Sequence, residues 1–452
     1  MRNVQIGAIA LGAILAVSGC GVFKEYSRPE MPQTDNVFGM ECSDTACIAE
    51  IGWRDFFTDP MLQQLIEKGL ENNADARIAA KKVIEAEASM DAARYAFLPY
   101  VGIAPSFNFE NADRYNGSVS SYSIQPSASW EADINGKLLN SRRIAEAGLE
   151  GSRLYERSVR TELIATIANC YYTLLMLDAQ LEVSKTTSDS WKENVRITKA
   201  MKDAGMTNEA SVAHTEANSC SIEASLFDLE YKVHQMENTM AALLGETPQS
   251  FERGKLQDEH LSRDLSIGVP ASLLSRRPDV MEAEIELRKA YYNTNIARAA
   301  FYPSLTISGD FGWEKPLTSA AGWAFGLAAS LSQPIFNKGR NNANLKIAEA
   351  KQEEALVAFE RAIRTAGSEV NDALAKCKAA EGKTEIRINQ IEALEKAVES
   401  TQLLMRHAES TYLEVLTAQQ SLLSARLQQI SDHYDTVQGI IALYKALGGG
   451  AE

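Results

Sequence analysis

With 452 residues the chain is long enough for two or three ordinary domains or one unusually elongated one. At 45% hydrophobic and 23% charged residues it is neither disordered nor a helical membrane protein. Its 45 Lys and Arg against 60 Asp and Glu leave a net charge of −15, which argues against nucleic acid as a partner, since phosphate binding needs clustered cations. The 12 prolines leave residues 127–247 and 335–452 uninterrupted. Proline costs ~3 kcal/mol inside a helix, so both tracts predict very long helices and disfavour a compact α/β enzyme.

In chain order, Arg2 and the free amine make a positive region ahead of the apolar stretch Val4–Val17, too short to span a bilayer, and residues 1–19 read as a signal peptide. The stretch ends in Leu15-Ala16-Val17-Ser18-Gly19-Cys20. Small residues before a cysteine resemble the lipobox of bacterial lipoproteins, where Cys20 is acylated and becomes the first residue. The alternative is an ordinary signal peptide with an incidental cysteine. Several acyl chains on one residue give stable anchoring where one is marginal. No later run approaches the ~20 apolar residues of a spanning helix, so any further crossing must be made by strands. Residues 20–50 form a polar linker in which Cys42 and Cys47 are placed to pair in an oxidising periplasm. Cys170, Cys220 and Cys377 fall on predicted helices and read as small buried hydrophobes.

The rest of the chain is a duplication. Ala93-Arg94-Tyr95-Ala96-Phe97-Leu98-Pro99 matches Ala297-Arg298-Ala299-Ala300-Phe301-Tyr302-Pro303 at an offset of 204, as Asp75 matches Asp279 and Ile103 matches Ile307. Ile144-Ala145-Glu146-Ala147 matches Ile347-Ala348-Glu349-Ala350, and Gly136-Lys137 matches Gly339-Arg340, at an offset of 203. One indel between the blocks explains the slip. We assign repeat one to 51–260 and repeat two to 261–452, too long for solenoid units.

Each repeat has the same predicted order. A first helix covers 61–96 or 279–301. A hairpin follows: 100–133, with strands Tyr100–Glu110 and Tyr122–Asp133 around the polar turn Asn111–Ser121, and 305–334, with strands Leu305–Trp313 and Trp323–Pro334 around Glu314–Gly322. Strands of ~9–11 residues with one apolar face suit a membrane barrel. Four strands leave open edges and are too few to close round a channel, so several copies must contribute, and a trimer would give twelve. A helix pair ends each repeat, within 138–245 (138–204, then 207–245) and 341–447 (341–406, then 409–447). Leu163, Ile167, Cys170, Leu174, Leu177 and Leu181 step by fours and threes, as do Leu423, Leu427, Ile430, Tyr434, Val437, Ile441 and Tyr444. That is coiled-coil packing. The two shorter helices of repeat one, stacked end to end, come close to the long one in length. The expected fold is mainly α with a β-barrel contribution: long antiparallel coiled-coil helices attached to a barrel.

Signs of chemistry are few. His214, His234, His260, His407 and His433 show no zinc-ligand spacing, and no phosphate loop, nucleophile elbow or dinucleotide fingerprint is present. Met201, Met206 and His214 cluster near the first helix turn; soft-metal export is the alternative reading, but the pattern is weak and reads as packing. We expect no enzyme, cofactor or metal site.

Three stretches carry a family likeness: Leu273-Leu274-Ser275-Arg276-Arg277-Pro278-Asp279-Val280 continuing to Ala300-Phe301-Tyr302-Pro303-Ser304-Leu305, then Thr411-Tyr412-Leu413-Glu414-Val415-Leu416-Thr417-Ala418-Gln419-Gln420-Ser421-Leu422, and the tail Leu443-Tyr444-Lys445-Ala446-Leu447-Gly448-Gly449-Gly450. Trp53, Phe56 and Asp59-Pro60 look like the family's opening. Together they resemble the TolC-like outer-membrane efflux factors, in their lipid-anchored branch. The resemblance implies a homotrimer whose strands form one barrel in outer-membrane lipid and whose helices continue as a periplasmic tunnel. It also implies a passive exit duct for drugs or other toxic compounds, fed by an inner-membrane resistance–nodulation–division transporter through a periplasmic adaptor protein.

On that likeness the helix turns dock the adaptor, near Gly205-Met206 and near Ala408-Glu409. In the family both turns usually carry a glycine, whereas Ala408 stands in the second. Relatives often place a gating aspartate where this chain has Thr417. Glu414, one turn earlier, is the local candidate for a carboxylate ring at the three-fold axis, and Tyr412 either seals the constriction or packs. Two rivals remain: the duct of a type I-like protein secretion system, which shares the architecture, and a non-conducting coiled-coil lipoprotein that ties the envelope together. The hairpins speak against the tether.

Overall fold

The computed structural model describes residues 25–29, 51–112, 117–258, 277–315, 320–406 and 412–449. The signal peptide, Cys20, Cys42, Cys47, Ala408 and Glu409 lie outside them.

Repeat one opens with α1 (Trp53–Phe56), α2 (Pro60–Asn72) and α3 (Ala74–Tyr95). Asp59 caps α2, accepting from the N–H of Met61 at 2.8 Å, and Pro60 takes the first turn, where a missing N–H costs nothing. The single helix expected over 61–96 is therefore two. Asn73 is extended (φ −58°, ψ 134°), and its Oδ1 accepts from the N–H groups of Asp75 and Ala76, starting a new helix. Then come β1 (Tyr100–Ile103), β2 (Ser106–Ala112), β3 (Gly117–Ile124), β4 (Pro126–Ala132), α4 (Lys137–Asp203) and α5 (Glu209–Leu244). Repeat two supplies α6 (Pro278–Ala299), β5 (Ser304–Lys315), β6 (Gly322–Ser332), α7 (Arg340–Arg406) and α8 (Tyr412–Ala446). Both α4 and α7 have 67 residues, about 100 Å at 1.5 Å per residue.

The sheet is antiparallel, in the order β1-β4-β5-β3-β2 with β6 also on β5. Its registers show that β1 with β2, and β3 with β4, are each one interrupted strand. Ile103 opposes Pro126, and beyond the gap Ser106 opposes Ser123, three residues on along one strand and three back along the other. On β5 the ladder runs in step from Ala132↔Leu305 to Ser127↔Asp310 and resumes at Ile124↔Trp313. The break at Gln125 presses on β5, where a Cβ on Gly312 would meet the Ile124 carbonyl oxygen at 2.3 Å, so only glycine fits. Four strands per chain agree with the expectation, but they run further than expected. β2 reaches Ala112 and β3 starts at Gly117, so much of the polar stretch 111–121 is paired strand. Ladder pairing overrides the turn-forming composition there.

The described residues fall into two compact units, one of residues 25–29, 81–154 and 281–361, the other of 51–80, 155–280 and 362–449 as far as these are described. The first contains the sheet and a small core of Ala147 and Leu154 on α4 with Ile285 on α6. The second contains the main apolar seam. Leu163, Ile167, Cys170, Leu174 and Leu177 are buried, as are Val437, Ile441 and Tyr444 on α8. Phe56 stacks on Tyr444 at 4.0 Å, and the Tyr444 hydroxyl donates to the Ile51 carbonyl at 2.8 Å. Cys170 and Cys377 are buried as expected, but Cys220 is exposed, a correction: it lies beside the buried face of α5, which carries Ser219 and Ile222.

Candidate functional site

The sheet has two chemically opposite faces. Leu305, Ile307, Gly309, Phe311 and Trp313 lie opposite Leu331, Ala329, Leu327, Phe325 and Trp323. Alternation puts all ten on one face. Trp323, Phe325, Leu327 and Leu331 are 65–75% exposed, an extent of large apolar surface that water alone does not favour. From Trp323 to Leu331 the band runs roughly 27 Å along the strand at ~3.4 Å per residue, about 20 Å of height at a barrel strand's ~35–45° tilt, close to the ~25 Å apolar belt of an outer-membrane barrel. Val101, Ile103, Phe107 and Phe109 continue the face on β1 and β2.

The opposite face carries Ser106, Asn108, Ser121, Ser123, Gln125, Ser127, Ser129, Glu131, Thr306, Ser308, Asp310 and Glu314. Gln125 donates to Glu314 at 2.9 Å, and the hydroxyls of Ser106 and Ser123 meet at 2.8 Å. This is a wetted wall of small, adaptable polar groups, with Tyr100 on the same face opposite Ser129. A sheet that is greasy on one side and hydroxyl-lined on the other separates lipid from water.

The α4–α5 turn is built as expected at Gly205, which adopts φ 71°, while the Met206 N–H closes onto the Met201 carbonyl at 2.8 Å. This is a Schellman closure, in which only glycine takes the left-handed position without steric cost. Met206 is 71% exposed. Asn208 caps α5, accepting from the Ser211 N–H at 3.0 Å. An ion ladder then climbs the helix pair: Lys202–Glu209 at 2.8 Å, Lys199–Glu216 at 2.7 Å, Lys192–Glu223 at 3.2 Å and Lys185–Glu230 at 3.3 Å. The hydrogen bond from Lys202 holds the Glu209 carboxyl below the usual carboxylate range and raises Lys202 in turn. Three of the lysines and their glutamates are spaced by sevens, a register readable in the sequence but missed there.

On α8 the helix itself begins at Tyr412. Val415 and Leu416 are buried, and Leu416 packs with Trp191 of α4 and Ile222 of α5. Asn194 of α4 donates to Gln419 of α8 at 2.9 Å. Glu414 and Thr417 stand on the exposed side, with the Thr417 hydroxyl donating to the Leu413 carbonyl at 2.8 Å. Trp191 and Asn194, which fix how α8 is held, carried no signal in the sequence, and Gln419, though inside the family-like stretch 411–422, gave no hint of its partner.

Near the other end of the chain, Arg28 pairs with Glu284 at 2.9 Å, Arg143 with Glu25 at 2.7 Å, and Tyr26 meets Tyr291 edge-on at 5.8 Å. Residues 25–29 are thus fastened to the sheet-bearing unit.

The outer membrane efflux protein family matches this chain over residues 65–246 and 269–449, once in each repeat. The cation efflux system protein CusC of Escherichia coli is 29% identical over 96% of this chain and 97% of its own length. The toluene efflux pump outer membrane protein TtgC of Pseudomonas putida is 30% identical over 100% of this chain and 95% of its own. A crystal structure of CusC superposes with a TM-score of 0.84 at 28% identity, covering 95% of this chain and 100% of that one.

Proposed function

The chain belongs to the outer membrane efflux protein family, and on that premise we propose that three copies close one twelve-stranded barrel and serve as the passive outer-membrane exit duct of a tripartite efflux pump. The observation that carries this is the sheet: among the described residues it has four strands, one apolar and one polar face, and two unpaired edges, β1/β2 and β6. A single chain cannot satisfy those edges in lipid, where every backbone group must be paired. Copies joined edge to edge do so, with the apolar belt outward and the hydroxyl-lined wall around a water-filled path.

Cargo crosses this path without reaction. The driving energy comes from an inner-membrane resistance–nodulation–division transporter, coupled through a periplasmic adaptor that docks on the turns at Gly205-Met206 and Ala408-Glu409. The names of the relatives at 29% and 30% identity specify cations in one case and toluene in the other. Cargo choice therefore belongs to the pump, and this duct takes small toxic compounds of more than one kind. Glu414, with Tyr412 and Thr417 beside it, forms the narrow end. Cys20 carries the lipid: residue 25 is fastened to the sheet-bearing unit, and five residues reach roughly 17 Å at ~3.4 Å each.

Outer-membrane fractionation with a heat-modifiability gel tests this. The duct extracts with detergent from outer-membrane fractions and migrates faster before boiling than after, and its deletion sensitises cells to toxic compounds. Release as a soluble chain with unchanged migration returns the assignment to an envelope tether.

A further inference from the structure

We infer the strand register between neighbouring copies, in which β6 of one copy pairs with β1 and β2 of the next so that Ala329 lies opposite Phe107 and Ala328 opposite Asn108. The inference rests on the closed barrel proposed above and deepens it.

The duplication supplies the geometry. Within repeat one, Tyr100 opposes Ser129. Moving Tyr100 by the offset of 204 and Ser129 by the offset of 203 lands on Ser304 and Ser332, which are an observed pair. The two hairpins therefore superpose residue for residue, and the offsets read from sequence hold in the backbone. The junction between the hairpins is also observed: β4 pairs with β5, with Ala132 opposite Leu305, Ser127 opposite Asp310 and Ala128 opposite Gly309. In a closed ring, the same junction recurs where one chain's second hairpin meets the next chain's first. β4 then becomes β6 and β5 becomes β1/β2. Ala132↔Leu305 maps onto Ile335↔Val101, and Ser127↔Asp310 onto Ser330↔Ser106; continuing the ladder gives Ala329↔Phe107, Ala328↔Asn108 and Leu327↔Phe109.

An independent observation checks the result. The register was derived from offsets alone, yet it sets apolar Leu327 and Ala329 against apolar Phe109 and Phe107, and Ser330 against Ser106. Both faces of the sheet continue unbroken across the seam. A slip of one residue would turn Phe107 and Phe109 against the wetted wall, which the pleat forbids. The seam also covers Ile335, 99% exposed in the single chain, with Val101, itself 70% exposed. Each copy offers β6 and receives on β1/β2, a head-to-tail contact that closes by rotation.

Cysteine cross-linking of the full-length protein in outer-membrane detergent tests the register. Directly opposed strand residues have Cβ atoms ~4.5–5.5 Å apart, within reach of a disulfide after small adjustment, whereas a two-residue slip does not. The double variants Ala329→Cys/Phe107→Cys and Ala328→Cys/Asn108→Cys are oxidised beside the slipped pair Leu327→Cys/Phe107→Cys and each single variant, after the oligomeric mass of each has been measured. The register predicts that at least one opposed pair shifts the denatured chain from monomer to covalent dimer and trimer bands, while the slipped pair and the singles remain monomeric. A trimeric mass with no cross-link at either opposed pair, or with equal cross-linking at the slipped pair, overturns the register and leaves the barrel standing. A monomeric mass before oxidation overturns the closed barrel, and the register with it.

Discussion

Arg277 donates from Nη1 to the main-chain carbonyl of Ala446 at 2.8 Å, tying the start of α6 to the end of α8. The same contact exists one repeat earlier, where Asn73 donates to the carbonyl of Leu243 at 2.9 Å. Residues 73 and 277 differ by 204 and residues 243 and 446 by 203, the offsets of the duplication. The two repeats therefore keep one device with different side chains: the residue before the repeat's first long element satisfies a carbonyl that the last helix leaves open.

The arginine version carries more. Arg277 is buried and also donates to Asp279 at 2.8 and 3.0 Å and to Glu369 at 2.6 Å. We predict that Arg277→Ala lowers stability by about 1–2 kcal/mol, chiefly by leaving the buried Ala446 carbonyl without a donor, since Asp279 and Glu369 are each about half exposed and stay solvated. Lysine does not rescue it, because it lacks the planar fork that grips Asp279. Asn73→Ala costs about 1–2 kcal/mol, one cap and one buried contact. Arg153→Ala, whose pair with Glu87 is exposed, shifts stability by less than ~0.5 kcal/mol. Denaturant unfolding of the detergent-solubilised protein checks all three.

Lys199→Glu removes one rung of the α4–α5 ladder and sets two carboxylates together at Glu216. Exposed pairs of this kind are worth little, so the loss is about 0.5–1 kcal/mol, confined to the turn. The compensating change Glu216→Lys restores it, and high salt reduces the difference. Hydrogen exchange of amides in 195–220 reads the effect, and equal exchange in the single and double variants would contradict it.

Glu414→Gln removes the carboxylate assigned to the narrow end. Single-channel recording should show a lower preference for cations and a conductance change, with the same oligomeric mass. Unchanged conductance and selectivity remove Glu414 from the gate.

Burial pushes the Cys170 thiol from 9.0 up to about 12. The folded state holds the neutral thiol, while the unfolded chain ionises near 9.0. The stability from this group is complete below pH ~9 and is lost progressively as pH rises toward ~12. The midpoint of wild-type thermal unfolding should fall more steeply over that window than that of Cys170→Ala. In the native state Cys220 is alkylated and Cys170 and Cys377 are protected, which mass spectrometry distinguishes.

Much of this was legible in the sequence, for physical reasons that differ by element. The long helix expected over 138–204 is found at Lys137–Asp203, because a proline-free tract with a heptad seam leaves the chain little else to form. The break at Asn73 was hidden. No proline or glycine marks it, and the side chain that fixes it reaches a carbonyl 170 residues away. The ends of β2 and β3 were hidden because Asn, Gly and Ser announce a turn, while pairing such as Asn111↔Ser118 is decided by the partner strand. The exposure of Cys220 depends on a helix face one position away from buried Ser219. The turn at Gly205 was legible because its left-handed conformation needs glycine. The packing that holds α8, Trp191 on Leu416 and Asn194 on Gln419, joins residues more than 200 positions apart and left no local trace.

Planar-bilayer recording of the purified full-length protein, with its oligomeric mass measured in the same detergent, tests the central claim most directly. The account predicts a trimer that inserts and gives discrete single-channel steps. A monomer that inserts without current would contradict it.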